Sequence, residues 1–233
     1  MPKSLFTLLT FYCLITSSPT NAQTHIGLRA DIGNPLNYSP TSTGFETPSA
    51  ISGSLLINYH QLLNDHWTFQ YEAELGVLGY RMKVISIDTL ADPDPYPFSE
   101  YATFRGGLSL SVFRGLRIKD KYLMIGLGGG ASYYYSFFPV TTYGITIISN
   151  NTDEKVFAAE IHCPTNNIVP FATFAAQLSL TRVLSIRASY SHYFNDVLAG
   201  TFEFYHTPTP TRGEISMRPR ELGVAVLFRI GNQ

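Results

Sequence analysis

The chain has 233 residues, with 15 Tyr, 16 Phe, a single Trp and a formal net charge of −1. That length suits one domain or one closed barrel, and a near-neutral chain without a basic run excludes nucleic acid as a partner. Charged residues make up 14%, against roughly 25% in an average soluble domain, yet mean hydropathy is close to zero. A helical membrane protein would be far more apolar, whereas a membrane barrel hides its apolar residues in alternation.

Residues 1–22 read as an export signal: Lys3 in the n-region, an apolar run over 5–15, and Thr20-Asn21-Ala22 as a small-residue cleavage site. The run is about eleven residues, short of the ~20 that span a bilayer as a helix. The mature chain is expected to be one domain, residues 23–233. Cys13 falls in the signal and lacks the small residues before it that a lipoprotein site needs. Cys163 is then left without a partner and reads as a free loop thiol.

From there the pattern is period-2 alternation, the signature of half-buried strands. The first predicted strand sets Ile26, Leu28, Ala30 and Ile32 against Gly27, Arg29, Asp31 and Gly33. The second, about 51–60, sets Leu55, Ile57 and Tyr59 against Ser52, Ser54 and Asn58. In the third, Trp67, Phe69, Tyr71, Ala73, Leu75 and Val77 alternate with Thr68, Gln70, Glu72, Glu74 and Gly76. The fourth opposes Phe104, Leu108 and Leu110 to Thr103, Arg105 and Ser109, and the fifth opposes Leu123, Ile125 and Leu127 to Gly126, Gly128 and Gly130. The sixth has Ala172, Phe174 and Leu178 against Thr173 and Gln177; the seventh has Ile186, Ala188 and Tyr190 against Arg187, Ser189 and Ser191. The last has Leu222, Val224, Val226 and Phe228 against Glu221, Gly223 and Arg229.

The connections alternate in length. Residues 34–50, 83–99, 136–167 and 199–219 form long loops, and 61–66, 114–121 and 182–183 form short turns. Short turns on one rim and long loops on the other are how outer-membrane barrels are built, the long loops lying outside the cell. The expected fold is therefore all-β: a single antiparallel up-and-down transmembrane β-barrel of about eight strands. Its location is the outer membrane of a Gram-negative bacterium.

A lipocalin-like soluble barrel would alternate too, with its apolar face inward. Strand length, the absence of mid-strand Lys, and matched charges on the polar faces (Arg29, Arg105, Arg187 and Arg229 against Asp31, Glu72, Glu74 and Glu221) favour the inverted arrangement, because charges in a narrow lumen must be paired. Aromatics at both ends of the apolar faces suit interfacial girdles.

This strand-and-turn pattern resembles the small outer-membrane barrels of Bacteroidota, the PorT-like or outer membrane protein beta-barrel domain family. The resemblance runs from Gln23 to Ile230. It is carried by Ala22-Gln23, by the strands over 101–112 and 122–128, and by the stretch 187–195. It implies the fold rather than a task, although PorT itself is an accessory of protein secretion.

Three constellations invite a chemical reading. Gly126-Leu127-Gly128-Gly129-Gly130 has no following helix or Lys-Ser/Thr, so it reads as strand glycine making room for bulky lumen neighbours, not as a phosphate loop. Ser191-His192-Tyr193-Phe194-Asn195-Asp196 is similar to the His-Tyr-Ser-Asn stretch of lipid A deacylases, but Phe194 stands where that family has its serine. His192 therefore reads first as an interfacial histidine on the lipid-facing side. Glu72 and Glu74 share a face and are expected to meet arginines across the lumen.

No catalytic, cofactor or metal residue is assigned. The expected role is non-enzymatic: structural, interaction or secretion-accessory, with loops three and four (136–167 and 199–219) as the recognition surface. Alternatives are a lipid A-modifying enzyme using His192 and a narrow pore. The expected partners are outer-membrane lipids and lipopolysaccharide, with extracellular or periplasmic proteins; a monomer is expected.

Overall fold

The computed structural model describes residues 22–33, 37–39, 45–46, 49–84, 99–118, 121–135, 142–148, 155–162, 167–205 and 211–230. Most of the export signal, Cys13, Cys163 and the greater part of loop 83–99 lie outside these residues. The described chain is built of strands: β1 (Ala22–Gly33), β2 (Asn37–Ser39), β3 (Phe45–Glu46), β4 (Ile51–Leu62), β5 (Trp67–Val84), β6 (Ser99–Ile118), β7 (Lys121–Tyr135), β8 (Thr142–Ile148), β9 (Lys155–His162), β10 (Asn167–Ser179), β11 (Leu184–Tyr193), β12 (Leu198–Phe204), β13 (Thr211–Met217) and β14 (Arg220–Ile230).

Eight of them close a barrel. Each pair in the circuit β1-β4-β5-β6-β7-β10-β11-β14 is antiparallel, and β14 returns to β1 with Arg229 opposite His25 and Glu221 opposite Gly33. Closure leaves no unpaired edge in the barrel wall. The short turns are fixed by side chains. Asn64 Oδ1 accepts from the backbone N–H groups of His66 (2.9 Å) and Trp67 (3.0 Å) between β4 and β5. Thr181 Oγ1 does the same for Val183 (3.3 Å) and Leu184 (3.1 Å) between β10 and β11. The expected turn at 114–121 is tighter than the sequence suggested, since β6 runs to Ile118 and β7 resumes at Lys121.

Every barrel strand turns large apolar side chains outward. Leu28, Leu55, Leu75, Leu108, Leu127, Phe174, Ile186 and Val224, one from each of the eight, are all exposed, and Leu127 reaches 67%. The alternate positions, among them Arg29, Asp31, Asn58, Glu74, Arg105, Arg187 and Glu221, are buried. The wall is thus inverted relative to a water-soluble barrel, as the alternation and the Lys-free polar faces required. Trp67 and Phe228 at the short-turn end, and Tyr133 and Tyr190 at the other, mark the rims of the apolar belt on its exposed side.

The described residues of the long connections 136–167 and 199–219 are mostly strand. They carry β8, β9, β12 and β13, which with β2 form a second sheet in the order β2-β13-β12-β9-β8. That order repeats the barrel order β1-β14-β11-β10-β7, so each strand of the second sheet prolongs a barrel strand adjacent to it in sequence. The bend between the two is stitched by backbone bonds: Tyr193 N–H to Pro219 O (3.1 Å), Phe194 N–H to Pro170 O (3.0 Å) and Val197 N–H to Met217 O (2.7 Å). Pro219, unable to donate, sits at the break between β13 and β14. Runs of seven or eight residues are too short to read as membrane spans, which is why they pass for loops in the sequence.

Candidate functional site

The interior of the barrel is layered. Its middle is a buried ion-pair network built on alternate residues of facing strands. Arg105, fully buried, reaches Glu221 (2.6 Å), Glu74 (2.6 Å) and Asp31 (3.1 Å). Arg29 reaches Glu74 (2.7 Å), Asp31 (2.9 Å) and Glu72 (3.5 Å), while Arg187 closes on Glu72. Gln70 Nε2 donates to Asn58 Oδ1 (2.5 Å), which also takes a longer bond from Arg187 (3.4 Å). Contributions from β1, β4, β5, β6, β11 and β14 make this a plug across the lumen. Isolated, each of these charges would be too costly to bury; linked, each satisfies several neighbours.

Room for the plug comes from glycine. A Cβ on Gly223 would collide with the Asp31 carboxylate and come within 3.0 Å of Ser189 Oγ and 3.3 Å of Arg29 Cδ. On β7, a Cβ on Gly126 would meet the Phe113 ring at 2.7 Å. The glycine run there fills no phosphate-loop role; it lies inside a strand against bulky neighbours.

On the side of the long connections, the plug gives way to apolar packing. Tyr134 and Tyr193 meet edge to face at 6.2 Å, and Arg105 contacts the Tyr193 hydroxyl at 3.4 Å. Beyond them one buried cluster joins Leu78, Tyr134, Val169, Phe171 and Tyr193 of the barrel to Phe157, Ile161, Phe202, Phe204, Ile215 and Met217 of the second sheet. Leu78 belongs to β5, which lies across the circuit from β11. The apolar cluster therefore spans the mouth, and the second sheet acts as its cap.

The outer face of the cap is polar. Glu160, Thr201, Glu203, Tyr205, Arg212 and Glu214 line an open groove of about 630 Å³. Arg212 donates to Glu203 Oε1 at 2.8 Å, and this hydrogen bond holds the Glu203 carboxyl below its ordinary range.

The sequence-predicted positions fall as follows. Glu72 and Glu74 do meet arginines. Arg229 does not join the network: it pairs with His25 in the strand register, nearer the short turns, leaving three arginines among four carboxylates. His192 lies on the outward face at the end of β11, opposite Ala172 and Arg220 in register, its ring 5.5 Å from that of Phe194. Ser191 is buried on the other face and contacts Thr173 Oγ1 (3.3 Å), so no serine of this stretch shares the face of His192. Among the described residues no group of three or more His, Cys, Asp or Glu could hold a metal ion. His25 and His60 escaped sequence reading. They stand at strand ends on the polar face, where His25 simply precedes the alternation that begins at Ile26.

No family model and no curated protein matches the chain. Among solved structures it is similar to the outer membrane protein OprG from Pseudomonas aeruginosa, at 8% identity and a TM-score of 0.43 over 91% of this chain and 96% of that one. It is also similar to the outer membrane protein AlkL (12%, 0.40, over 92% and 93%) and to Neisserial surface protein A (10%, 0.38, over 90% and 99%). The likeness is coarse, and the barrel assignment rests on the strand register above.

Proposed function

We propose that the chain is an integral outer-membrane barrel with a plugged lumen, serving a non-enzymatic structural, interaction or secretion-accessory role through its capped outer end. The observation that carries this reading is the inversion of the wall. Large apolar side chains, mostly Leu, Ile, Val and Phe, are exposed on all eight strands, the continuous apolar surface that a soluble monomer avoids. A closed barrel is also the one β architecture that leaves no backbone group unsatisfied in lipid.

The arginine-carboxylate plug and the apolar cap support a barrel that conducts nothing, as expected where eight strands leave an interior that side chains fill. The surroundings of His192, flanked on its face by Tyr190 and Phe194, support an interfacial rather than a catalytic role. The second sheet refines the recognition surface: within loops three and four, a groove on the strands of the cap is offered to an extracellular partner. The PorT-like resemblance fits this reading in fold.

The test is fractionation followed by electrophoresis of unheated and heated samples. The barrel is expected in the outer membrane, with a mobility shift on boiling, and its reconstitution in planar bilayers should give no steady channels. A water-soluble protein without the shift sinks the proposal, and stepwise conductance sinks the plugged lumen. An altered lipid A mass profile on expression, lost in His192→Ala, would replace the non-enzymatic role with an enzymatic one.

A further inference from the structure

At the short-turn end, beyond the plug, the lumen opens into a cavity of about 220 Å³. His25 and His60 stack at its wall, ring centroids 4.4 Å apart. Both are at least nine-tenths buried, as are Thr68 and Gln177. His25 Nδ1, His60 Nε2, Thr68 Oγ1 and Gln177 Oε1 make no hydrogen bond, and all four residues line the cavity. A buried polar atom left without a partner is destabilising. The cavity is many times the ~10–15 Å³ that one water needs, and its largely polar lining (His25, His60, Thr68, Gln177, Arg182 and Arg229 among it) suits a polar occupant.

The charges say which kind. Arg182 and Arg229 also line the cavity, and among the described residues no Asp or Glu does. Neither arginine has an ion-pair partner among the described residues. Two adjacent histidines suit a metal ion by type, but the charges of Arg187 and Arg229 act on His25, and that of Arg187 on His60. A cation would be repelled. An anion rich in acceptors suits imidazole N–H, hydroxyl and guanidinium donors together. A carboxylate brings two oxygens to these donors; a tetrahedral oxyanion brings four.

We infer that this cavity binds a phosphate-type oxyanion, held by Arg182 and Arg229 with the stacked His25–His60 pair as its inner wall. The phosphate comes either from free ion in the compartment the short turns face or from a lipid headgroup at the rim, beside the exposed Arg182. The site stands independently of the interaction role proposed above, because binding can be read on purified barrel in micelles.

The experiment uses full-length protein with labelled histidines in alkyl-maltoside micelles, titrated with inorganic phosphate at constant ionic strength. The His25 and His60 side-chain resonances should shift saturably. Arg182→Gln, in an exposed turn, should weaken binding about tenfold or more, as loss of a charge-assisted hydrogen bond implies. Arg212→Gln, the same charge change on the cap, should leave it unaltered. Heat-modifiable mobility confirms that each variant is folded, and Arg229→Gln is a second variant for the same prediction. Resonances already at their saturated positions in phosphatidylglycerol nanodiscs without added phosphate would assign the lipid headgroup as source; saturation only with added ion would assign free phosphate. Shifts that never saturate, equal affinity in the Arg182→Gln and Arg212→Gln proteins, or tight capture of Zn²⁺ by the two imidazoles without any phosphate response overturn the inference.

Discussion

The barrel wall and the cap are made of strands adjacent in sequence, yet their polarity is reversed. In the wall, Leu127 and Val224 face out while Arg105 and Glu221 face in; in the cap, Glu160, Thr201 and Arg212 face out while Phe157, Phe202 and Ile215 are buried. The hydrogen-bonded order of neighbours does not change across the bend. What changes is the solvent outside. Hydrocarbon rewards outward apolar residues and pushes charge into the lumen, and water reverses both preferences. The bend around 194–197 and 218–219 therefore marks where the protein leaves its apolar surroundings, within the proposed outer-membrane reading.

The sharpest way to break this contrast is at the plug. Arg105→Met leaves Asp31, Glu74 and Glu221 buried around an apolar side chain. Removing one partner from a buried ion network costs about 3–5 kcal/mol, so the urea midpoint of the folded barrel in lipid should fall steeply. An unchanged midpoint would mean that water reaches the plug and that the lumen is not sealed.

A second test exchanges one outward residue in each region. Leu127→Arg, near the middle of β7, should cost about 2–4 kcal/mol for an arginine at the bilayer midplane, read as a lower folded fraction in lipid vesicles. Thr201→Leu, outward on the cap, places an apolar side chain in water and should leave the midpoint within about 0.5 kcal/mol, as surface substitutions generally do. Equal costs at the two positions would mean that both surfaces meet the same solvent.

The wall was legible in the sequence because lipid imposes period-2 alternation over a dozen residues. Leu75 and Glu74, or Leu127 and Gly128, declare their faces without any structure. The cap was not, because β9, β12 and β13 are only seven or eight residues long, and β12 and β13 carry Gly200 and Gly213 within them. Between β11 and β12 the inward series also changes parity, from Tyr193 to Leu198. The plug was half legible: sequence supplied the residue types and their shared faces, but only the register could exclude Arg229. The cavity at His25 and His60 was invisible, since its members come from the ends of different strands and no spacing connects them.

The smallest effect is expected at the exposed counterpart of the plug. Glu203 and Arg212 pair on adjacent strands of the cap, with Arg212 mostly in water. The Arg212 hydrogen bond lowers the Glu203 pKa. A carboxyl with a folded-state pKa below its unfolded value adds stability above the unfolded pKa and loses it as pH falls through the folded one. Carbon-detected titration should show the Glu203 midpoint below the ordinary carboxylate range and rising in Arg212→Gln. The difference between the two proteins should shrink at high salt, because ions screen a pair that water already surrounds. The thermal midpoint of the barrel should not change. A Glu203 midpoint indifferent to both the substitution and salt would mean that the pair does not form in solution, leaving the cap groove with unpaired acid and base to offer a partner.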